Sequence, residues 1–420
     1  MNILILGSGG REHALAWKIR QSTMTEKLYI APGNGGTLAC GENVALDIND
    51  HVSIVSFCTE KNIELVVVGP DDYLATGIVD SLTAAHIFAF GPTRQAAEIE
   101  WSKAYAKEVM EAAGVPTARS RTFSDYDSAR DYLSSHAFPV VVKASGLALG
   151  KGVTIAQTFE EADAALKECF VDAKFGTAGQ EVLVEEFMEG LEFSVHAICA
   201  GTDTLLFPSS QDHKRIFDGD TGPNTGGMGV VAPLPQVSEE VMKQIEDTIV
   251  RPTLRELDKR GRSFSGVLYP GIMLTKEGPK VIEFNARFGD PEAQVYMRLM
   301  ESDIVPLLFA SAKGSFLGVE LEWKKEAVAC VVMASGGYPG AYEKGKEITG
   351  LKEAEKDETV VFHAGTMKDG DTFRTSGGRV LNVTATGKTL KDALSAAYKG
   401  VEAISFEGAQ YRTDIGKKAL

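Results

Sequence analysis

Glu283, Asn285 and Arg287 recur at every second position in the stretch Val281-Ile282-Glu283-Phe284-Asn285-Ala286-Arg287-Phe288-Gly289-Asp290-Pro291-Glu292. Side chains alternate faces along a strand, so these three share one face while Ile282, Phe284, Ala286 and Phe288 make an apolar one. Same-face neighbours stand about 6.8 Å apart. A carboxylate and an amide oxygen so placed are hard ligands for Mg²⁺ carrying a nucleotide's phosphates. An arginine one step further suits a carboxylate or a phosphoryl group in transfer. Simple solvent exposure accounts for the alternation, but not for the choice of Glu, Asn and Arg.

Three glycine-rich segments could approach phosphates or a small ligand. Gly7-Ser8-Gly9-Gly10-Arg11-Glu12 follows an apolar run and opens a helical stretch. It lacks the third glycine of a dinucleotide fingerprint, and Ile30-Ala31-Pro32 stands where a ribose-binding acid is needed, which argues against NAD. A turn at a helix N-terminus remains, suited to phosphate, with Arg11 as counter-charge. Gly146-Leu147-Ala148-Leu149-Gly150-Lys151-Gly152 has the wrong glycine spacing for a P-loop and no hydroxyl residue after its lysine. Between two antiparallel strands it reads as a lid whose backbone amides, with Lys143 and Lys151, neutralise a polyanion. Asp212-His213-Lys214-Arg215 and Gly222-Pro223-Asn224-Thr225-Gly226-Gly227-Met228-Gly229 form the third candidate, its glycines letting backbone come close to a ligand. His213 has no second histidine at ligand spacing and is assigned a packing or hydrogen-bonding role.

These residues need a scaffold of several domains. The chain has 420 residues, 44% hydrophobic and 24% charged, which suits about three globular units. A net charge of −15 argues against a broad surface for nucleic acid or anionic membrane. Five widely spaced cysteines without a CxxC pair fit neither a disulfide framework nor a zinc cluster, and a cytoplasmic location is expected. No apolar run reaches the ~18 residues of a membrane span. Ile3–Leu6, Leu28–Ile30 and Leu65–Val68 alternate with helical stretches, which predicts a doubly wound α/β unit to about residue 101. From there, strands at Val140–Lys143, Val153–Ile155, Val182–Glu185 and Phe193–Ile198, with a helix over Ser238–Lys259, read as α+β. A last segment from about Lys325 opens with the strand Val328–Met333. It closes with a helix whose Leu390, Ala393, Leu394, Ala397, Val401 and Ile404 share a face behind a Thr389/Asp392 cap.

Taken together, these segments resemble the ATP-grasp superfamily, and within it the phosphoribosylamine–glycine ligase family of purine biosynthesis. The resemblance is carried by Gly7–His13, by Asp212–Gly229 (DHKRIFDGDTGPNTGGMG), by Ile282–Glu292 (IEFNARFGDPE), by Thr375–Val383 (TSGGRVLNV) and by Tyr411–Leu420 (YRTDIGKKAL). It implies a Rossmann-like N-terminal domain over 1–101, an ATP-grasp domain over 102–325 with a lid about 120–190, and a small α+β domain over 326–420. It also implies ligation of glycine to 5-phosphoribosylamine through glycyl phosphate, with ATP and Mg²⁺ or Mn²⁺, by a monomer with no nucleic-acid or membrane partner. Another carboxylate–amine ligase of the superfamily and a catalytically silent nucleotide-binding relative are the alternatives.

By the same resemblance, Lys103, Lys143, Gly146, Gly150, Lys151 and Gly152 contact the ATP phosphates, with Lys107 one helical turn from Lys103. Glu185, Glu186 and Met188 hold adenine, and Glu192 the ribose hydroxyls. Glu283 and Asn285 bind metal, while Arg287, Lys214 and Asp212 are catalytic. Gly9, Gly10, Arg11, Pro32, Gly33, Asn34, Asn224, Thr225, Gly226 and Gly227 bind substrate. Four departures from the family pattern stand out: Ser145 for an aspartate, Leu149 for an alanine, Asp71 for a glutamate, and no acidic ligand in Tyr269–Leu274.

Overall fold

The computed structural model describes residues 1–146, 152–356 and 358–420; Leu147, Ala148, Leu149, Gly150, Lys151 and Asp357 lie outside them. Its first unit is a parallel sheet of β1 (Asn2–Gly7), β2 (Lys27–Pro32), β3 (Glu42–Asn43), β4 (Ile63–Val68) and β5 (Phe88–Phe90), in the order β3-β2-β1-β4-β5. Helices α1 (Gly10–Ile19), α2 (His51–Glu60), α3 (Asp71–Thr76) and α4 (Ile78–Ala84) make the crossovers. Ile3, Leu4, Ile5 and Leu6 are all buried, as a run covered on both faces requires. The order reverses between β2-β1 and β4, so the carboxyl ends of β1, β2 and β4 frame a crevice.

Helices α5 (Arg94–Trp101) and α6 (Lys103–Ala113) lead to a four-stranded antiparallel sheet, β6-β9-β7-β8. Its strands are β6 (Ser120–Phe123), β7 (Val140–Ala144), β8 (Val153–Ala156) and β9 (Val182–Glu186), backed by α7 (Tyr126–Leu133) and α8 (Phe159–Phe170). This subdomain has a core of its own around Phe123, Leu133, Val142, Leu166 and Val184. A second sheet joins β10 (Leu191–Ser194), β11 (Ala197–Ala200), β12 (Asp203–Leu206), β17 (Ser265–Thr275) and β18 (Gly278–Asn285). The single strand expected over Phe193–Ile198 is interrupted at Val195-His196. Both halves keep one register on β17, but Pro270, opposite Val195, has no N–H to complete the ladder. The helix expected over Ser238–Lys259 is α9 (Glu239–Ile245) and α10 (Arg251–Lys259), joined by a π turn at Glu246–Val250 where Pro252 removes a helical donor.

A third sheet crosses the expected domain division. β19 (Ala327–Ala334), β21 (Thr359–His363) and β24 (Arg379–Gly387) are extended by β16 (Gly229–Ala232) and β13 (Gln211–Asp212), in the order β13-β16-β19-β24-β21. Between β13 and β16 the chain makes a hairpin of β14 (Arg215–Phe217) and β15 (Thr221–Asn224). A small sheet of β20 (Glu347–Ile348), β22 (Thr366–Asp369) and β23 (Thr372–Thr375) sits beside it, with α13 (Leu351–Ala354) and α14 (Leu390–Ala403). Thr389 and Asp392 close the capping box of α14, and its predicted apolar face is buried.

Helix α11 (Glu292–Leu299), followed by α12 (Ile304–Lys313), joins the units. All eight residues of α11 are buried, between α1 on one side and β16, β19 and β24 on the other. A helix apolar or satisfied on every face belongs in a core. Here the core runs continuously from Leu15 through Tyr296 and Met297 to Val332 and Phe362, with Trp17 edge-on to Phe362 at 5.7 Å. Unfolding should therefore be one transition for the first and third units. Phe362→Ala should cost about 3–5 kcal/mol and lower the midpoint of that whole transition. Denaturation followed by far-UV circular dichroism and by Trp17 fluorescence checks this; separate midpoints for the two probes would refute it.

Candidate active site

The site strand β18 departs from simple alternation by one residue. Pairing with β17 runs Tyr269–Asn285, Pro270–Phe284 and Gly271–Glu283, then shifts to Ile272–Val281, leaving Ile282 as a bulge. Val281 and Phe284 both enter the core, whereas Ile282 lines a cleft with Glu283. Ile282 is thus not part of the apolar face expected for it. The bulge also frees the Ile282 carbonyl, which accepts from Lys143 Nζ at 3.0 Å.

Glu283 lies among four cations. Burial alone would raise its carboxyl, but Lys214, Lys103, Lys143 and Arg287 together hold it below the usual carboxylate range. Lys103 and Lys107 line the same cleft, and burial lowers both ammonium groups. Lys107 is tied to Glu185 at 3.1 Å, to Thr117 Oγ1 and to the Ala118 carbonyl. Among the described residues, Lys103 Nζ reaches only the Gly146 carbonyl, at 3.4 Å. Lys143 is 2.7 Å from the other Glu185 oxygen. The Glu185 carboxylate is therefore occupied by two lysines. Glu186 pairs with Arg119 at 2.8 Å, and Met188 follows in the turn before β10. Gly146 and Gly152 border the lid segment; Gly150 and Lys151 lie outside the described residues. Ser145, where the family carries an acid, accepts from the Ala104 amide at the start of α6.

Arg287 lies just past the strand, with Nη2 3.1 Å from Glu100 and 3.2 Å from Asn285 Oδ1. Its Nε is buried with no hydrogen-bond partner among the described residues. Such an orphaned cationic donor has a place for an anion. Glu100 also accepts from the Ala286 amide at 2.8 Å. Burial pushes its carboxyl up to about 7, against the pull of Arg287. Sequence reasoning passed over Glu100, since a lone acid at a helix end carries no motif.

The Asp212–Gly229 loop supplies the remaining walls. Burial and the nearby Glu292 raise the Asp212 carboxyl, while Glu192, 2.7 Å away, holds Lys214 charged. Thr225 bonds the Lys214 carbonyl through both its amide and its hydroxyl, and its hydroxyl also accepts from the Gly227 amide. His213 donates from Nδ1 to the Gly229 carbonyl and accepts the Gly416 amide at Nε2, a hydrogen-bonding role as expected. Asn224 ends β15, and Gly226 N–H donates to Tyr338 Oη. Arg379 grips the same loop through the Gly226 carbonyl and joins it to the Asp290 carbonyl at 2.6 Å.

Arg379, Tyr338 and Asp290 also line a cavity of about 380 Å³ with Ser8, Gly9, Pro32, Gly33, Asn34, Thr366, Ser376 and Gly377. The turns of the first and third units thus share one chamber. Its floor needs two glycines in contact: a Cβ on Gly365 would meet Gly377 Cα at 2.5 Å. Two expected residues are placed differently. Arg11 turns away from the cavity to bond Glu12 and the Phe288 carbonyl. Glu12 caps α1 by accepting from the Gly9 amide and draws Arg11 inward. Gly10 packs against Gln294 and Asn382, whose amides fill the space a Cβ would take. Asn34 borders the cavity, but its amide group is spent on the Ser8 and His363 carbonyls and the Gly36 amide. Tyr338, Thr366, Ser376 and Arg379 were not singled out from sequence, though TSGGRVLNV contains two of them.

A doubly wound first unit, a glycine-looped antiparallel subdomain facing a second sheet with a charged strand end, and a small α+β unit define an ATP-grasp protein. Family models for the N, ATP-grasp (A) and C domains of phosphoribosylglycinamide synthetase match residues 1–100, 101–293 and 328–418. The chain belongs to this family. It is 49% identical over 420 residues to a phosphoribosylamine–glycine ligase of Rhizobium meliloti, covering 100% of this chain and 99% of that protein. A trifunctional purine biosynthetic protein adenosine-3 of Homo sapiens is 48% identical over 423 residues, which cover 100% of this chain and 42% of that longer protein. A solved phosphoribosylamine–glycine ligase from Thermotoga maritima superposes with a TM-score of 0.87 at 33% identity, covering 99% and 100% of the two chains.

The Glu100 environment gives a pH test. The folded state keeps this proton from the ordinary carboxylate range up to about 7, so the associated stability is lost as pH rises through that interval. Glu100→Gln should gain stability relative to the parent between pH 5 and 8. Melting midpoints across that range check it; a difference that is flat or falls with pH is the contrary outcome.

Proposed function

We propose that the charged end of β18 binds ATP with its divalent cation, while the 380 Å³ cavity binds 5-phosphoribosylamine, in the ligation of glycine. One observation carries this reading: the Asp212–Gly227 loop sets Lys214 beside Glu192 and Glu283 and its glycines against Arg379 on the cavity wall. Two substrate regions therefore meet at one loop.

The donor set fits nucleotide phosphates and a metal. Lys103, Lys143 and Lys214 surround Glu283, and Glu283 with Asn285 offers two hard oxygens. No group of three His, Cys, Asp or Glu able to hold a metal occurs among the described residues. That suits a cation that keeps water and phosphate ligands and takes only one or two from protein. Magnesium or manganese at Glu283 and Asn285 would neutralise phosphate charge. For Lys143, engaging phosphate means exchanging Glu185 for the ligand, an exchange between partners of like charge. Glu192 and the β9–β10 connection at Met188 are assigned to the nucleoside end.

In the reaction, a glycine carboxylate oxygen attacks the γ-phosphorus of ATP, forming glycyl phosphate and releasing ADP. The ribosylamine nitrogen then displaces phosphate and yields glycinamide ribonucleotide. The bond to oxygen breaks with phosphate as leaving group, which is why ATP is consumed. Arg287, whose Nε has no partner among the described residues, is assigned to glycine's carboxylate and the acyl phosphate. Asp212, which burial favours in its neutral form, and Lys214 border the same space. In the cavity, the N-terminus of α1 is assigned to the substrate phosphate. Little covalent work falls to the protein, so positioning and charge neutralisation dominate.

Phosphate release measured with ATP, glycine and freshly generated 5-phosphoribosylamine, each omitted in turn, tests the whole reading; release independent of glycine or of the amine overturns it. Glu283→Gln keeps volume but removes a metal-binding charge, and turnover should vanish with the fold intact. Near-normal activity at ordinary Mg²⁺ would sink that assignment. Arg287→Lys cannot reproduce a planar fork, so kcat/KM for glycine should fall about 30- to 1,000-fold, worth roughly 2–4 kcal/mol. Affinity for an ATP analogue, by calorimetry, should change much less. A glycine kcat/KM within about twofold of the parent would refute the contact.

A further inference from the structure

The Tyr411–Leu420 segment is absorbed by none of the roles above, yet it makes a dense set of bonds to the catalytic loop. Among the described residues Arg412 is the largest fully buried side chain, 1% exposed. Its guanidinium forks onto Asp414, with Nε to Oδ1 at 2.7 Å and Nη2 to Oδ2 at 2.9 Å. Nη1 crosses to the loop, donating to the Arg215 carbonyl at 3.0 Å and to Asp220 Oδ1 at 2.8 Å. Asp414 in turn accepts from the Gly219 amide at 2.8 Å, and Asp218 accepts from the Thr413 amide at 2.8 Å and from its hydroxyl. Lys418 pairs with Asp220. The Gly416 amide reaches His213 on the other side of Lys214.

These bonds fall on both flanks of Lys214 and on the hairpin tip that returns the chain to Asn224–Gly227. The tip holds Asp220 at φ +54°, a left-handed conformation costly for a residue with a side chain. Arg412 secures that residue from outside, with Lys418 in an exposed pair at the rim. The hairpin is only β14 paired with β15, a two-stranded ribbon, and such a ribbon is marginal alone. Its position relative to Glu192 and Arg379 is therefore imposed largely by the clamp.

We propose that Arg412, with Asp414 and Asp218, is a positioning element for the ligation step, holding Lys214 and Asn224–Gly227 where the two substrate regions meet. Neither it nor its partners touches substrate. This rests on the proposed function of the loop. Of the nucleotide's expected contacts, those to the metal on β18 and to Lys143 and Lys103 on β7 and α6 do not pass through the clamp, whereas Lys214 does, so the clamp's effect on ATP binding is the smaller one.

The test uses the full chain, first shown to release phosphate only with both glycine and 5-phosphoribosylamine; a parent that fails there removes the functional reading rather than the clamp. Arg412→Lys keeps a charge but loses the fork. With active sites titrated by an ATP analogue, kcat/KM for glycine and for the amine should fall about 30-fold or more per nucleotide-binding site. Analogue affinity should stay within about threefold. The exposed Asp218→Ala, which removes two loop bonds without opening the core, should lose about fivefold in the same parameters. Lys418→Met, at the solvent-exposed rim, should be near parent. If Arg412→Lys does not fold, Asp218→Ala decides. Unchanged kcat/KM in the variant that folds, or a loss matched by lost nucleotide sites, overturns the proposal.

Discussion

The joining of the first and third units depends on the complete burial of α11 directly behind the site strand. Only a few residues separate Asn285, at the end of β18, from Glu292, where the helix begins. The helix packs on α1 toward one side and on the β16-β19-β24 face toward the other. Burying a helix on all sides removes a large apolar area from water, and it does so only if the first and third units close around it. The charged strand end is then carried to the junction of three units by the same stretch of chain that welds them. Asp290 and Arg379, bonded across this junction, extend that weld into the chamber wall.

The second constraint is charge. Lys103, Lys107, Lys143, Lys214 and Arg287 crowd a region where desolvation is costly, and the acids Glu100, Glu185, Glu192 and Glu283 neutralise them. Buried ions left unpaired would cost several kcal/mol each, and Lys107, Lys143, Lys214 and Arg287 each have a carboxylate partner. A polyanionic nucleotide can substitute for those acids at little net electrostatic cost. Glu185 illustrates the point: it grips two lysines at once and so holds them where phosphate is expected.

Sequence periodicity read the parallel first sheet, the glycine-linked strands β7 and β8, and the capped helix α14, because in each case local pattern and tertiary environment agree. It misjudged Ile282 since a bulge is a decision of pairing register, invisible in a row of alternating residues. It broke no strand at Val195 because the proline responsible, Pro270, lies on a neighbouring strand distant in sequence. Arg11 looked available for phosphate as long as Glu12 was considered only as a departure from a fingerprint. In the fold Glu12 bonds both the Gly9 amide and Arg11.

By itself the sequence determined which residues could do chemistry: Glu283 and Asn285 on one strand with Arg287 just beyond it, lysines near a glycine loop, and motif strings specific enough to indicate one ligase family. These are matters of residue type at short spacing, which local backbone geometry translates directly into neighbours. Only the tertiary structure decided that β13 and β16 join the third sheet, that Thr366, Ser376 and Arg379 complete a cavity begun by Gly9 and Gly33, and that Arg412 reaches the Asp212–Gly227 loop. Such contacts join residues hundreds of positions apart. They are set by which faces must be buried together, and no local pattern along the chain encodes that.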